Sequence, residues 1–185
     1  MRKSLEDTWR HLEAEGDEPP RHPDGRPVVP DRMPSYDDKE PLGLSYYKSG
    51  LEDVDCSGLT MPRTYFGRSG FYRVRFGDTD LSESRMCWND FENCDFTGAD
   101  LSGCDMRAST FTGCRFAGAI LRGADLRRSY FKDCDFTGAD LTGAVAEGGI
   151  LYTRSGHMGV ADFLTKEQQA VMTWTPDEGP MPPGG

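Results

Sequence analysis

The sequence predicts an all-β fold, a four-sided coil of short stacked segments, and three observations carry that prediction. From Phe71 to Leu141 every fifth residue is Phe, Leu or Met. The residue two places before each of these is small or compact throughout, from Ser69 to Ala139. The same residue types also recur every twenty positions. Phe71, Phe91, Phe111 and Phe131 form one column, and Phe76, Phe96, Phe116 and Phe136 the next. Leu81, Leu101, Leu121 and Leu141 form a third, and Met86, Met106 and Leu126 a fourth. A period of five fits neither the 3.6 of a helix nor the 2 of a strand. Twenty residues taken as four sides of five describe a solenoid in which every coil buries its neighbour.

The elements follow in chain order. Residues 1–16 open with Ser4, Leu5, Glu6 and Asp7, a capping-box pattern, and place Leu5, Trp9 and Leu12 along one helical stripe. So short a helix is marginal alone. The segment is expected as a short helical or frayed tail, a partner-binding peptide, or a cap on the solenoid. Residues 17–41 carry Pro19, Pro20, Pro23, Pro27, Pro30 and Pro34 among charges and read as an extended linker. Apolar residues return over 42–50, which is expected to cover the open first coil.

The solenoid spans 51–146, because Leu51, Met61 and Phe66 keep the five-residue register. That length makes about five coils, stacked at about 4.8 Å with like rings in offset contact. Glycines such as Gly98, Gly118 and Gly138 fall two places after a central residue, where the chain turns a corner. Residues 147–175 are expected as a C-terminal cap. Thr165 and Gln168 match a capping box, and a helix over 165–174 would lay Leu164, Val171 and Trp174 on the last coil. Pro176, Pro180, Pro182 and Pro183 make 176–185 a disordered tail.

The repeat resembles that of the pentapeptide-repeat family, whose motif is A-(D/N)-L-x-x. The resemblance lies in Ala99 to Gly103, Ala124 to Arg128 and Ala139 to Gly143, with Cys94 to Gly98 and Cys134 to Gly138 as the usual variant. It implies a right-handed quadrilateral β-helix and no single activity, since the motif encodes a coil and not a site. It also implies one specific alternative. Some members are acidic DNA mimics that occupy the DNA-binding saddle of gyrase and confer quinolone resistance; they are generally dimers with more coils than this chain offers.

Composition narrows the function classes. Net charge is −10, which argues against direct nucleic-acid binding. No apolar run is long enough to span a membrane, and the first residues contain no hydrophobic signal segment, so a cytoplasmic address is expected. Cys56, Cys94, Cys104, Cys114 and Cys134 fall on inward positions and Cys87 on an outward one, which reads as core thiols rather than a disulfide framework or a metal site. His11, His22 and His157 lie outside the coils. Aspartates such as Asp95, Asp100 and Asp135 stand where the repeat motif places them. A packed coil offers no cavity for catalysis, so no enzyme activity, catalytic residue, cofactor or metal is expected.

Charge sorted by side points to an interaction surface. Three sides of the solenoid are net acidic. The second, centred on Phe66, Met86, Met106 and Leu126, carries Arg68, Arg85, Arg107, Arg127 and Arg128 against only Asp105 and Asp125. Trp88 sits on an outward position among them, and Trp with Arg is a hot-spot composition. The candidate partner-binding face is therefore Arg68, Arg85, Trp88, Arg107, Arg127 and Arg128. The competing reading has Trp88 packed on Tyr46, Tyr47 or the Trp9 helix. The expectation is a non-catalytic scaffold for an unidentified protein partner, monomeric or dimeric through a solenoid end, with gyrase mimicry as the alternative.

Overall fold

Hydrogen-bonded rungs twenty residues apart tie every side of this chain to itself. The computed structural model describes residues 1–35, 37–38, 42–146, 150–152 and 165–170. Its elements are α1 (Leu5–Ala14), β1 (Ser45–Tyr47), β2 (Gly50–Glu52), β3 (Tyr65–Gly67), β4 (Gly70–Tyr72), β5 (Asp90–Glu92), β6 (Thr110–Thr112), β7 (Tyr130–Lys132), β8 (Ile150–Tyr152) and α2 (Lys166–Ala170). One parallel sheet runs β2-β4-β5-β6-β7-β8, and β1 pairs in parallel with β3. The register is a constant twenty, with Phe71 opposite Phe91 and Phe91 opposite Phe111. The other sides are closed by single parallel bridges at the same offset, such as Asp55 with Arg75, Thr60 with Asp80 and Arg85 with Asp105. The fold is a four-sided parallel β-solenoid. Four full turns carry the chain from Leu51 to Phe131, and β8 pairs with β7 one register further on, so the coil count differs slightly from the five that the periodicity predicts for 51–146.

The core is the set of stacked columns. Rings of Phe71, Phe91, Phe111 and Phe131 lie 4.6, 4.8 and 4.9 Å apart and nearly parallel. Those of Phe76, Phe96, Phe116 and Phe136 repeat at 5.0, 5.0 and 4.8 Å. Between the two columns the rings meet edge to face, as Phe111 does with Phe116 at 5.6 Å. Both arrangements suit the ring quadrupole, and the coil spacing imposes the first. The compact residues two places earlier do more than fit. Ser109 Oγ donates to the Met86 carbonyl at 2.6 Å, Ser129 Oγ to Met106 at 2.6 Å, and Cys104 Sγ to Leu81 at 3.0 Å. Each reaches a corner carbonyl in the coil below; at Leu81 the thiol joins the Ser84 amide, which donates to the same oxygen at 3.1 Å.

The N-terminal residues close the first coil, so neither a frayed tail nor an extended linker describes them. Ser4 caps α1 by accepting from the Asp7 amide at 3.1 Å, and Glu6 and Asp7 favour the helix N-terminus. Thr8, Trp9 and Leu12 are buried. The Thr60 amide donates to Thr8 Oγ1 at 2.9 Å, and the Lys3 amide to the Gly58 carbonyl at 2.7 Å. These bonds satisfy an edge that would otherwise recruit other chains. The proline segment folds back because its carbonyls serve as acceptors: Pro20 receives Trp9 Nε1 at 2.8 Å and Pro30 receives Arg63 Nη1 at 2.8 Å. Residues 42–50 are not a separate cap. β1 belongs to the coil, with Tyr46 opposite Phe66 and their rings stacked at 5.4 Å.

At the other end Thr165 and Gln168 form the reciprocal box: the Gln168 amide donates to Thr165 Oγ1 at 3.1 Å, and the Thr165 amide to Gln168 Oε1 at 2.8 Å. Gln168 Nε2 then reaches the carbonyls of Phe136 and Ala139 at 3.1 and 2.8 Å. Leu164, Val171, Trp174 and the tail 176–185 lie outside the described residues, as does His157.

Candidate interaction surface

Each coil turns its corners two places after a central residue, and there φ is positive whatever the side chain. Gly58, Gly98, Gly118 and Gly138 fill one such column together with Asp78, and the glycines pass into it without a Cβ penalty. Among the described residues the corner that follows the second side has no glycine. Lys48, Arg68, Trp88, Ala108 and Arg128 occupy it at φ 51, 52, 57, 52 and 58. All five are exposed, and Trp88 keeps 52% of its surface open. For a residue as bulky as Trp the left-handed region is a costly conformation.

The structure divides the six residues of the expected face into two groups. Arg85 is buried beside Asp105, with Nη1 3.5 Å from Oδ2. Asp105, also buried, accepts from Arg107 Nε at 2.8 Å and Nη2 at 2.9 Å. Asp125 accepts from Arg127 Nε at 2.8 Å and Nη2 at 2.6 Å, and Arg107 Nε lies 3.5 Å from it. Arg85, Arg107 and Arg127 thus alternate with two carboxylates in a ladder up the side. Arg68 and Arg128 make no ion pair with any described residue, nor does Lys48, whose ammonium lies 5.2 Å from the Tyr47 ring centroid. The ladder keeps one net positive charge, and the two cations of this side without an ion pair, Arg68 and Arg128, stand at the corner with Trp88 between them.

The aromatic residues expected to cover Trp88 have partners of their own. Trp9 is buried under α1, Tyr46 stacks on Phe66, and Tyr47 stacks on Tyr65 at 6.1 Å. Cys87, expected to point outward, is 3% exposed. It lies near Arg85 and Asp105, and burial pushes its thiol up. All six cysteines are free and buried; burial likewise raises Cys56 to about 12. Among the described residues no three His, Cys, Asp or Glu side chains are grouped to hold a metal ion. An open cleft of about 460 Å³ lies between Asp17–Pro20 and Gly43–Tyr46, where the Tyr46 hydroxyl donates to Asp17 Oδ2 at 3.2 Å. No helix among the described residues is long and apolar enough to cross a membrane.

Residues 69–145 match the family model of pentapeptide repeats in eight copies, over 69–107, 90–113 and 109–145. A comparison with curated proteins returned no match. Among solved structures, a pentapeptide repeat protein from the Arabidopsis thaliana thylakoid lumen is 30% identical, over 51% of this chain and 63% of that one, with a TM-score of 0.30. A trypsin-treated form of QnrB1, a plasmid-mediated fluoroquinolone resistance protein, is 16% identical over 71% and 82%, with a TM-score of 0.32. The pentapeptide repeat protein Rfr23 from the cyanobacterium Cyanothece 51142 is 13% identical over 71% and 88%, with a TM-score of 0.31. This chain spans 63% of the length of the first of these.

Proposed function

We propose that this chain, whose residues 69–145 are pentapeptide repeats, is a non-catalytic scaffold that presents a rigid solenoid surface to a protein partner. The observation that carries this reading is Trp88, half-exposed in a costly backbone conformation between Arg68 and Arg128 on a stem of stacked rings. A buried ring column cannot adapt, so the surface meets its partner already shaped, which lowers the ordering cost of binding. Outward Trp and Arg on such a stem have hot-spot composition. Immobilised full-length protein is expected to retain an acidic protein from a native extract. Trp88→Ala with Arg68→Glu and Arg128→Glu should abolish that capture at an unchanged melting temperature. Capture that survives all three substitutions would move the surface to another side.

DNA mimicry at gyrase is the second reading, favoured by the net charge of −10 and the three acidic sides. A mimic needs carboxylates that stand free. Here Asp53 and Asp55 pair with Arg73 and Arg75, Glu83 with Arg63, and Asp140 with Arg122. Titration into a supercoiling assay with a fluoroquinolone decides between the two readings: no protection at micromolar protein is expected, and protection would reverse their order.

A further inference from the structure

Of the five coil cations that make no ion pair with any described residue, three share one corner. Most other arginines of the coils are neutralised, Arg63 by Glu83, Arg73 by Asp53 and Arg122 by Asp140 across coils, and Arg107 by Asp105 within one. Arg115 and Lys132 stand singly on other sides. Lys48, Arg68 and Arg128 share one corner column with Trp88 and Ala108, and none of these five described positions is the glycine its backbone prefers. We infer that this corner is a docking ridge for a short acidic peptide segment that carries an aromatic side chain. The inference rests on the scaffold reading above and narrows it from a side of the solenoid to one edge, and from any protein to one chemistry.

Geometry and charge select that occupant. At about 4.8 Å per coil, Lys48 to Arg128 spans roughly 19 Å, the reach of about six extended residues. Ala108, the smallest side chain of the column, stands one coil from Trp88 and one coil from Arg128, so an indole and a guanidinium flank it. A partner's aromatic ring placed over Ala108 stacks on the first and accepts the cation of the second. Carboxylates on the flanking residues of the segment then meet Arg68 and Lys48 below and Arg128 above. The exposed Asp90 stands two residues beyond Trp88 and places a negative charge on the same coil. The occupant is therefore uncharged there and anionic on either side. A nucleic-acid strand, with a phosphate at every nucleotide, fits that pattern poorly, and the net charge of −10 repels it further.

The test uses the full chain and three fluorescently labelled probes: a random Glu/Tyr copolymer, poly-Glu and a single-stranded oligothymidylate, each followed by anisotropy at low salt. The copolymer is expected to bind more tightly than poly-Glu and to weaken as salt is added. Arg68→Gln with Arg128→Gln should weaken it at least about tenfold, whereas Arg107→Gln with Arg127→Gln should change it less than about twofold, because a desolvated or bidentate pair turns inward. Trp88→Gly should abolish the preference for the copolymer while the protein still melts cooperatively, since glycine suits that backbone. Equal binding of copolymer and poly-Glu, no binding of either, or tighter binding of the oligonucleotide would overturn the assignment. If the Arg107/Arg127 pair weakens binding as much as the corner pair does, the ridge fails and the broader side remains. The scaffold reading itself falls only with its own capture experiment.

Discussion

Left-handed backbone at a side chain with a Cβ costs about 1–2 kcal/mol, and this chain accepts that cost at many corners. Where glycine recurs, as at Gly98, Gly118 and Gly138, the positive φ is legible from the residue type. At Lys48, Arg68, Trp88, Ala108 and Arg128 it is not, because nothing about Arg or Trp signals a left-handed turn; only the twenty-residue spacing links them to the glycine columns. Arg128→Gly should therefore stabilise the fold by about 0.5–1 kcal/mol, the relief of strain exceeding the extra unfolded-state entropy of glycine. Thermal melting checks this, and a lower melting point would mean that the Arg128 side chain contributes to packing. The compact positions were half legible. Their size follows from the sequence, but the bond from Ser109 Oγ to a carbonyl twenty-three residues earlier depends on coil stacking that a single repeat does not reveal.

Among the elements, α1 announces itself through Ser4 and Asp7, yet its docking does not, since the acceptors and donors it meets at Gly58 and Thr60 are ordinary backbone groups until the coil exposes them. β1 escapes for a related reason: Tyr46 keeps the register of Phe66, but Gly43 and the prolines before it obscure the period. The turns that join the sides carry their own pH dependence. Hydrogen bonds from Thr142, and then Arg122, hold the Asp140 carboxyl down to about 2, and Arg75 and Arg73 lower Asp55 and Asp53. A carboxyl depressed in the folded state stabilises it above the unfolded value near 3.8, and that stability is lost as pH falls through the folded value. The melting temperature should be level above about pH 5 and decline from about pH 4 to pH 2. A melting temperature that does not fall over that range would show these turn bonds to be energetically idle, as exposed ion pairs often are.

The whole molecule is one column. Removing a ring from its middle, Phe111→Ala, deletes stacked contacts at 4.8 and 4.9 Å and edge contacts with Phe96 and Phe116. The cost should be about 3–5 kcal/mol. Because each coil leans on the next, a single lowered transition is expected in calorimetry, whereas a split transition would mean that the coils melt separately. Architecture at this scale was almost wholly legible, since fifteen central positions without an exception leave few folds available. The site was legible only in part. Counting charges by side picked out Arg68, Trp88 and Arg128, which stand exposed at one corner, but it also counted Arg85, Arg107 and Arg127, which share Asp105 and Asp125 in a ladder.

Hydrogen–deuterium exchange with the Glu/Tyr copolymer bound tests the central claim most directly, because a ridge on a solenoid leaves a periodic footprint. The account predicts slowed exchange in short segments around residues 48, 68, 88, 108 and 128, with the chain between them unchanged. Protection of one uninterrupted segment, or a twenty-residue rhythm centred on another corner such as Arg73, Asn93 and Gly113, would contradict it.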